Sequence, residues 1–204
     1  MRIGLLGGTF DPPHRGHLHV ARVAQRVLGL EAILFVPCQW QPLKAARPAA
    51  SGLHRAAMVA LATAGRSDWV LEASELERPG PSYTVETVEA LRLRMPGARF
   101  TLIVGEDSFR TLGRWHRAGE LAGLCELAVV PRSRALPPAA AEGAAVRWLP
   151  SRPVEVSSTL VRERLAAGRD VARLIPALVE AYIRKQGLYG CPPQGASIAQ
   201  GRSV

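Results

Sequence analysis

The stretch from Ile3 to His17, IGLLGGTFDPPHRGH, constrains the fold more than any other part of the chain. It opens as an apolar run of strand length, Ile3, Leu5 and Leu6. Gly7 and Gly8 are expected to turn the backbone tightly and let it lie close to a ligand, because no Cβ intervenes. Thr9 and Phe10 lead into Asp11-Pro12-Pro13, which reads as a turn into a helix start. His14 and His17 stand three apart in the expected first turn, and Leu18, Ala21, Ala24, Val27 and Leu28 then recur at helical spacing. The unit is therefore strand, glycine turn, helix N-terminus. A helix N-terminus presents free N–H groups and the positive end of a dipole, which favours phosphate. The two imidazoles add donors there, so polyphosphate chemistry is the natural expectation.

Two plainer readings compete. The glycine turn could be a simple strand-to-helix connection. The histidine pair could bind zinc, but a catalytic zinc needs a third protein ligand. None is supplied at helical spacing, and Asp11 is separated by the Pro-Pro step. The expectation is no protein-held metal. Gly-Gly alone does not make the GxGxxG dinucleotide fingerprint.

A chain of 204 residues suffices for one α/β domain with a full core. No apolar run reaches the length of a membrane span, and the first residues enter a strand directly, so neither a membrane segment nor a signal peptide is expected. Cys38, Cys125 and Cys191 are odd in number and scattered, which suits a reducing cytoplasm rather than a disulfide framework. The net charge of +9 suits anionic ligands, nucleotides or nucleic acid. The excess is arginine spread along the chain, without the aromatic–basic interleaving of single-strand binders.

Further strands are expected at Ala32–Val36, Trp69–Ala73, Phe100–Val104, Glu126–Val130 and Val146–Leu149. Helices are expected at Gly16–Leu28, closed by Gly29, at Leu53–Ala64 with Ala57, Met58 and Leu61 inward, and from Thr84 as N-cap with Val85, Val88, Leu91 and Leu93 inward. Two more follow: one capped by Ser157 or Ser158 with Leu160, Val161 and Leu165 inward, and one from Ile175 to Lys185 with Leu178, Val179, Tyr182 and Ile183 inward. The long loop 37–51 carries Lys44 and Arg47, and long ordered loops are often functional. His54 is expected at the surface, Arg55 as a structural or substrate-near cation, and Glu106 pointing outward. Alternating strands and helices imply a Rossmann-like α/β domain, an open parallel sheet with helices on both faces, over residues 1–189. Arg132–Glu142 is an Ala/Pro loop, and residues 190–204 read as a disordered tail.

The string GGTFDPPHRGH, containing His14-Arg15-Gly16-His17, resembles the signature of HxGH nucleotidyltransferases. Pantetheine-phosphate adenylyltransferases, cytidylyltransferases and class I tRNA synthetases carry related strings. The choice among them rests on later segments: Lys44, Pro81-Ser82-Tyr83-Thr84, Gly105-Glu106-Asp107 with Trp115-His116, and Ser157-Ser158-Thr159 with Arg162. Together these resemble the nicotinate-nucleotide adenylyltransferases over residues 1–189. Departures are mild: Val156 replaces the family's isoleucine and Glu106 a small residue.

The resemblance implies AMP transfer from ATP to nicotinate mononucleotide, giving deamido-NAD and pyrophosphate with Mg²⁺ accompanying ATP. It implies catalytic roles for His14, His17, Lys44 and Arg162. It implies ATP contacts from Gly7, Gly8, Thr9, Phe10, His17, Gly105, Asp107, Ser157, Ser158, Thr159 and Arg162. It implies mononucleotide contacts from Thr9, His14, Lys44, Tyr83, Thr84, Asp107, Trp115 and His116. Residue chemistry agrees in part. A planar guanidinium suits phosphate, a helix N-terminus near Thr84 favours a carboxylate over a carboxamide, and an indole face suits an electron-poor ring. A solvated Lys44, an ordinary cap at Ser158 and a core Trp115 are the plainer alternatives. At the level of function the rivals are the same reaction on nicotinamide mononucleotide and a basic nucleic-acid-binding domain.

Overall fold

Alternating β-rich and amphipathic segments can bury both their faces only by layering, and this chain builds three layers. A computed structural model describes residues 1–44, 46–131, 146–151 and 154–191. In chain order the elements are β1 (Arg2–Gly8), α1 (Arg15–Leu28), β2 (Ala32–Pro37), α2 (Gly52–Thr63), β3 (Trp69–Leu71), α3 (Ser74–Glu77), α4 (Thr84–Arg94) and β4 (Arg99–Gly105). Then come α5 (Glu106–Arg110), α6 (Ala118–Leu124), β5 (Glu126–Val130), β6 (Val146–Trp148), α7 (Ser158–Ala166) and α8 (Ala177–Gln186), with 3₁₀ turns at Leu112–Arg114 and Leu188–Gly190. The six strands form one sheet in the order β3-β2-β1-β4-β5-β6. Every pairing is parallel.

Alternation along the strands divides the core. Leu6, Ile33, Phe35, Ile103, Ala128 and Val130 meet α1 through Ala21, Ala24 and Leu28. Ile3, Leu5, Leu34, Phe100, Leu102 and Val129 meet α4 through Val85, Val88 and Leu91. A third cluster joins Met58 of α2 to Val161 and Leu165 of α7 and to Val179 and Ile183 of α8. The central strand is tightly enclosed. A Cβ on Gly4 would come within 2.6 Å of Ile33 and 2.7 Å of Ile103, so a larger residue there would have to push those side-chain ends aside.

Strand order turns at β1/β4, where connections leave in opposite directions and a crevice opens at the strands' carboxyl ends. Among the described residues, no helix is long and apolar enough to cross a membrane.

Several local expectations are corrected. Gly7 and Gly8 do not turn. They remain in β1, paired with Val36 and Pro37, and the left-handed residue is Phe10 at φ 50°. The N-cap of α4 is Tyr83, so Thr84 is the first helical residue. Leu93 and Leu178 are exposed, at 84% and 55%, because α4 and α8 each turn only one narrow stripe inward. In α2 the buried positions are Arg55, Met58, Val59 and Thr63. Glu106 is buried, at 7% exposure, held by Arg110 at 2.7 Å. His54 is half-buried, with Nδ1 2.9 Å from the Tyr182 hydroxyl. At the far end Gly190 completes the 3₁₀ turn and Cys191 is buried, so the packed chain runs past residue 189. The Arg132–Glu142 loop and residues 192–204 lie outside the described residues.

Candidate active site

His14 is the N-cap of α1, in extended conformation, and its side chain is buried. His17 sits three residues on, and the two rings stack at 3.7 Å with 25° between their planes. The His14 N–H donates to His17 Nδ1 at 3.2 Å. An accepting Nδ1 carries no proton, so this bond selects the His17 tautomer with its proton on Nε2. Phe10 closes edge-on against His17 at 4.8 Å and fixes the ring from the other side. Gly16 leaves room for this packing. A Cβ there would lie 3.0 Å from the His14 ring and 3.0 Å from Val156.

Cations surround the pair. Lys44, from the loop after β2, donates to the Thr9 hydroxyl at 3.2 Å. Arg162, one turn into α7, donates through Nη1 to the Asp11 carbonyl at 2.8 Å and through Nη2 to the Thr159 hydroxyl at 3.4 Å. Ser157 caps α7 by accepting from the Leu160 N–H at 3.1 Å. Ser158 donates to the Pro12 carbonyl at 3.0 Å, so the N-terminus of α7 is docked on the turn after β1. Two helix N-termini, α1 and α7, therefore meet at one place, each adding positive potential there.

Three cavities adjoin around these groups. One of about 360 Å³ is lined by Gly7, Gly8, Thr9, Phe10, His14, His17, Lys44, Gly105, Asp107 and Ser158. A second, about 500 Å³, is lined by Thr9, His14, His17, Lys44, Ser157, Ser158, Thr159 and Arg162. A third, about 300 Å³, is lined by Tyr83, Thr84, Trp115 and His116. Each residue singled out as a site candidate from the sequence lines at least one of the three. In the third, the Tyr83 and His116 rings lie 4.4 Å apart, while Trp115 also packs on the core, so the structural and site readings of Trp115 are compatible. A larger groove, about 1050 Å³, opens between α4 and α6 over the amino-terminal halves of β4 and β5. It is mainly aliphatic and lies away from the carboxyl ends, where ligands of such sheets bind.

Sequence reasoning missed Gln41, which lines all three cavities, and Ser108, which lines the first and third. Neither carries a chemical signal in a sequence. Arg55 takes the structural one of its two expected roles, while Asp11 came out differently. Arg55 is 1% exposed and donates to the carbonyls of Ala50 (3.2 Å), Thr9 (2.9 Å), Cys38 (2.6 Å) and Gln39 (3.1 Å). Burial pulls the Arg55 pKa down, opposed by the nearby Cys38, Asp11 and Tyr189. Its four bonds pin the ends of β1 and β2 to α2. Asp11 is a buried hub and not merely a turn residue. Glu75 is buried and accepts from the Thr87 hydroxyl at 2.7 Å. Burial pushes the Glu75 carboxyl up, against the bonds from Thr87 and Ser82.

Residues 5–164 match the cytidylyltransferase-like family model. A relative from Gemmatimonas aurantiaca, called a probable nicotinate-nucleotide adenylyltransferase, is 40% identical, with 97% of this chain and 96% of the relative covered. A relative of the same description from Gloeobacter violaceus is 42% identical, with 94% and 97% covered. Among solved structures, the Plasmodium falciparum nicotinic acid mononucleotide adenylyltransferase complexed with NaAD superposes with a TM-score of 0.75. It is 19% identical over 92% of this chain and 97% of its own, a likeness of fold. Identity of this order along nearly the entire length places the chain in the nicotinate-nucleotide adenylyltransferase family, within the cytidylyltransferase-like proteins.

Proposed function

We propose that the chain transfers the adenylyl group of ATP to nicotinate mononucleotide, forming deamido-NAD and releasing pyrophosphate. One observation carries the assignment of parts. The stacked His14–His17 pair, Lys44 and Arg162 line a single cavity where the N-termini of α1 and α7 converge.

The chemistry asks little of side chains as bases. The mononucleotide phosphate is ionised at neutral pH and attacks the α-phosphorus directly, and the bond to the β-phosphate oxygen breaks. No general base and no covalent intermediate are required. What remains is alignment of two anions and stabilisation of charge on the phosphoryl oxygens and the leaving pyrophosphate. His17 offers its Nε2–H to the α-phosphate, and His14 flanks it. Lys44 and Arg162 hold the charged groups on either side, with Ser157, Ser158 and Thr159 at the N-terminus of α7. Gly7 carries no Cβ, and one built there would meet nothing within 4 Å, so the backbone is open to close approach. Gly105 and Asp107 sit at the end of β4, beside the nucleoside portion. The pyridine ring takes the third cavity against Trp115 and Tyr83. Its carboxylate meets the N–H groups of the first turn of α4 and of His116, a setting that favours the acid over the neutral amide.

Mg²⁺ is proposed to travel with ATP. Among the described residues no three His, Cys, Asp or Glu side chains converge as a metal site. That donor set fits an ion held mainly by phosphate oxygens and water, with Asp107 the carboxylate lining the cavity, as Mg²⁺ commonly is. When bound it supplies charge neutralisation on the phosphates. We place the reaction in the cytoplasm, where three free cysteines are stable.

The test is pyrophosphate release from ATP with each mononucleotide in turn. The acid should be the better substrate by kcat/KM, and His17→Ala should lower kcat by about 10²–10³-fold with an unchanged melting curve. Wild-type turnover in that variant removes His17 from the mechanism. Salt-dependent DNA binding without pyrophosphate release supports the nucleic-acid-binding alternative instead.

A further inference from the structure

Arg162 lies beside a buried carboxylate and does not pair with it closely. Its Nη1 is 3.9 Å from Asp11 Oδ2, while the same nitrogen donates to the Asp11 main-chain carbonyl at 2.8 Å. Left to themselves, an arginine and a carboxylate form a short two-bonded fork. The Asp11 side chain is occupied by other donors. Oδ2 accepts from the Ala49 N–H at 2.7 Å, and Oδ1 accepts from the Ala50 N–H at 3.0 Å and from the Tyr189 hydroxyl at 2.8 Å. A carboxylate has about four acceptor positions, so three are taken. The two amides belong to the loop before α2. The hydroxyl reaches in from the far end of the described chain.

We infer that Tyr189 is a positioning residue for anion binding: its hydroxyl, with the Ala49 and Ala50 amides, occupies Asp11 so that the Arg162 guanidinium stays turned toward the phosphates. The inference rests on the function proposed above, because it supposes that Arg162 faces a polyphosphate. Tyr189 lines none of the three cavities. Its backbone sits at φ 59°, a conformation an L-residue adopts only where its surroundings hold it. Burial, and then the adjoining Asp11 charge, push its phenol well above the usual tyrosine range, so it stays a donor throughout the working pH range. Asp11 is 4% exposed, so water cannot readily replace a missing donor. Without the hydroxyl, Oδ1 is left one bond short. The carboxylate is then free to turn toward Arg162, close the 3.9 Å gap, and withdraw the guanidinium's charge and donors from the ligand.

Tyr189→Phe removes the hydroxyl and little else. Three quantities are to be measured at a temperature where melting curves show wild type and variant folded: inorganic pyrophosphate affinity by calorimetry, KM for ATP, and KM for nicotinate mononucleotide. The expected result is pyrophosphate affinity and ATP KM each worsened about tenfold, with the mononucleotide KM moved less than about twofold. In an Arg162→Ala background the Tyr189→Phe change should have no further effect on pyrophosphate affinity. A purely structural tyrosine would lower the melting temperature and leave these ratios unchanged, and that result overturns the inference. An undiminished effect in the Arg162→Ala background also overturns it. If wild type neither binds pyrophosphate nor releases it from ATP, the function proposed above fails first, and the wild-type control alone reveals it.

Discussion

Arg55→Met should destabilise the fold more than any exposed arginine replacement. The guanidinium is 1% exposed and donates to four main-chain carbonyls. Methionine fills a similar volume but donates to none of them. The bonds to the Thr9 and Gln39 carbonyls are only partly buried, so water can take over there. Those of Ala50 and Cys38 are buried and cannot be rescued so readily. Leaving a buried acceptor without a donor costs about 1–3 kcal/mol, so two cost about 2–6 and roughly 4 kcal/mol in the middle. Removing the charge relieves some desolvation, which keeps the figure from rising to the sum over all four. For a chain of this size each kcal/mol shifts the melting temperature by about 2–4 °C, giving a fall of about 8–16 °C. Calorimetric melting at neutral pH, with a urea titration to verify an unchanged slope, measures it. Arg55→Lys keeps the charge but cannot span four acceptors, and should fall between. A methionine variant melting within about 3 °C of wild type would show that the clamp does not hold the strand ends, and the reasoning would be refuted.

Two further outcomes follow from the geometry. The Glu75 carboxyl is raised by burial, so the folded state favours its protonated form. The stability this group lends is present below the ordinary carboxyl range and is lost as pH rises through the folded value. Glu75→Gln should therefore match wild type near pH 4 and melt higher at pH 7; an equal difference at both pH values in thermal scans would contradict this. Gly16→Ala places a methyl group 3.0 Å from the His14 ring and from Val156. The imidazole must then shift by a few tenths of an ångström, and kcat should fall about 10-fold or more with little change in melting temperature, since alignment in the reacting pair is what suffers. Unchanged kcat would show that the His14 ring position is not critical.

The framework was legible because it rests on periodicity and punctuation. All six strands fall where apolar runs of strand length lie, and β5 coincides with Glu126–Val130 to the residue. Gly29 and Gly187 end their helices in left-handed conformation as glycines at that place do. The site candidates were legible because their chemistry is unusual at its spacing: paired histidines after Asp-Pro-Pro, and serines, a threonine and an arginine within about a turn. The failures share one physical cause. Whether a charged or polar side chain is buried depends on its partners in the fold, local or distant in sequence. Glu106 turned inward because Arg110 accompanies it. Arg55 reads as a structural or substrate-near cation already in the sequence, but nothing local announces that four carbonyls await it. Asp11 reads as a turn residue until Ala49, Ala50 and Tyr189 are brought to it from elsewhere.

Those long-range polar contacts also explain how one site accommodates opposing demands. A triphosphate and a monophosphate held side by side call for strong positive potential, yet a cluster of buried cations would repel itself and destabilise the fold. The chain separates the two requirements. Part of the positive potential comes from peptide groups at the N-termini of α1 and α7, which carry no net charge, beside an imidazole whose Nδ1 accepts a main-chain hydrogen bond. Full cations are kept to the rim, where Lys44 and Arg162 rest on neutral oxygens of Thr9, Asp11 and Thr159. The one deeply buried cation among the described residues, Arg55, is spread over four carbonyls, with the Asp11 carboxylate near enough to oppose the cost of its burial. Asp11 thus serves both sides of the balance. It offsets a structural arginine within the fold, and it must be kept from capturing a ligand-facing one. A carboxylate in that position is useful only while other donors hold it, which is why a tyrosine from the last described turn of the chain belongs to the working of a site formed mostly by earlier segments.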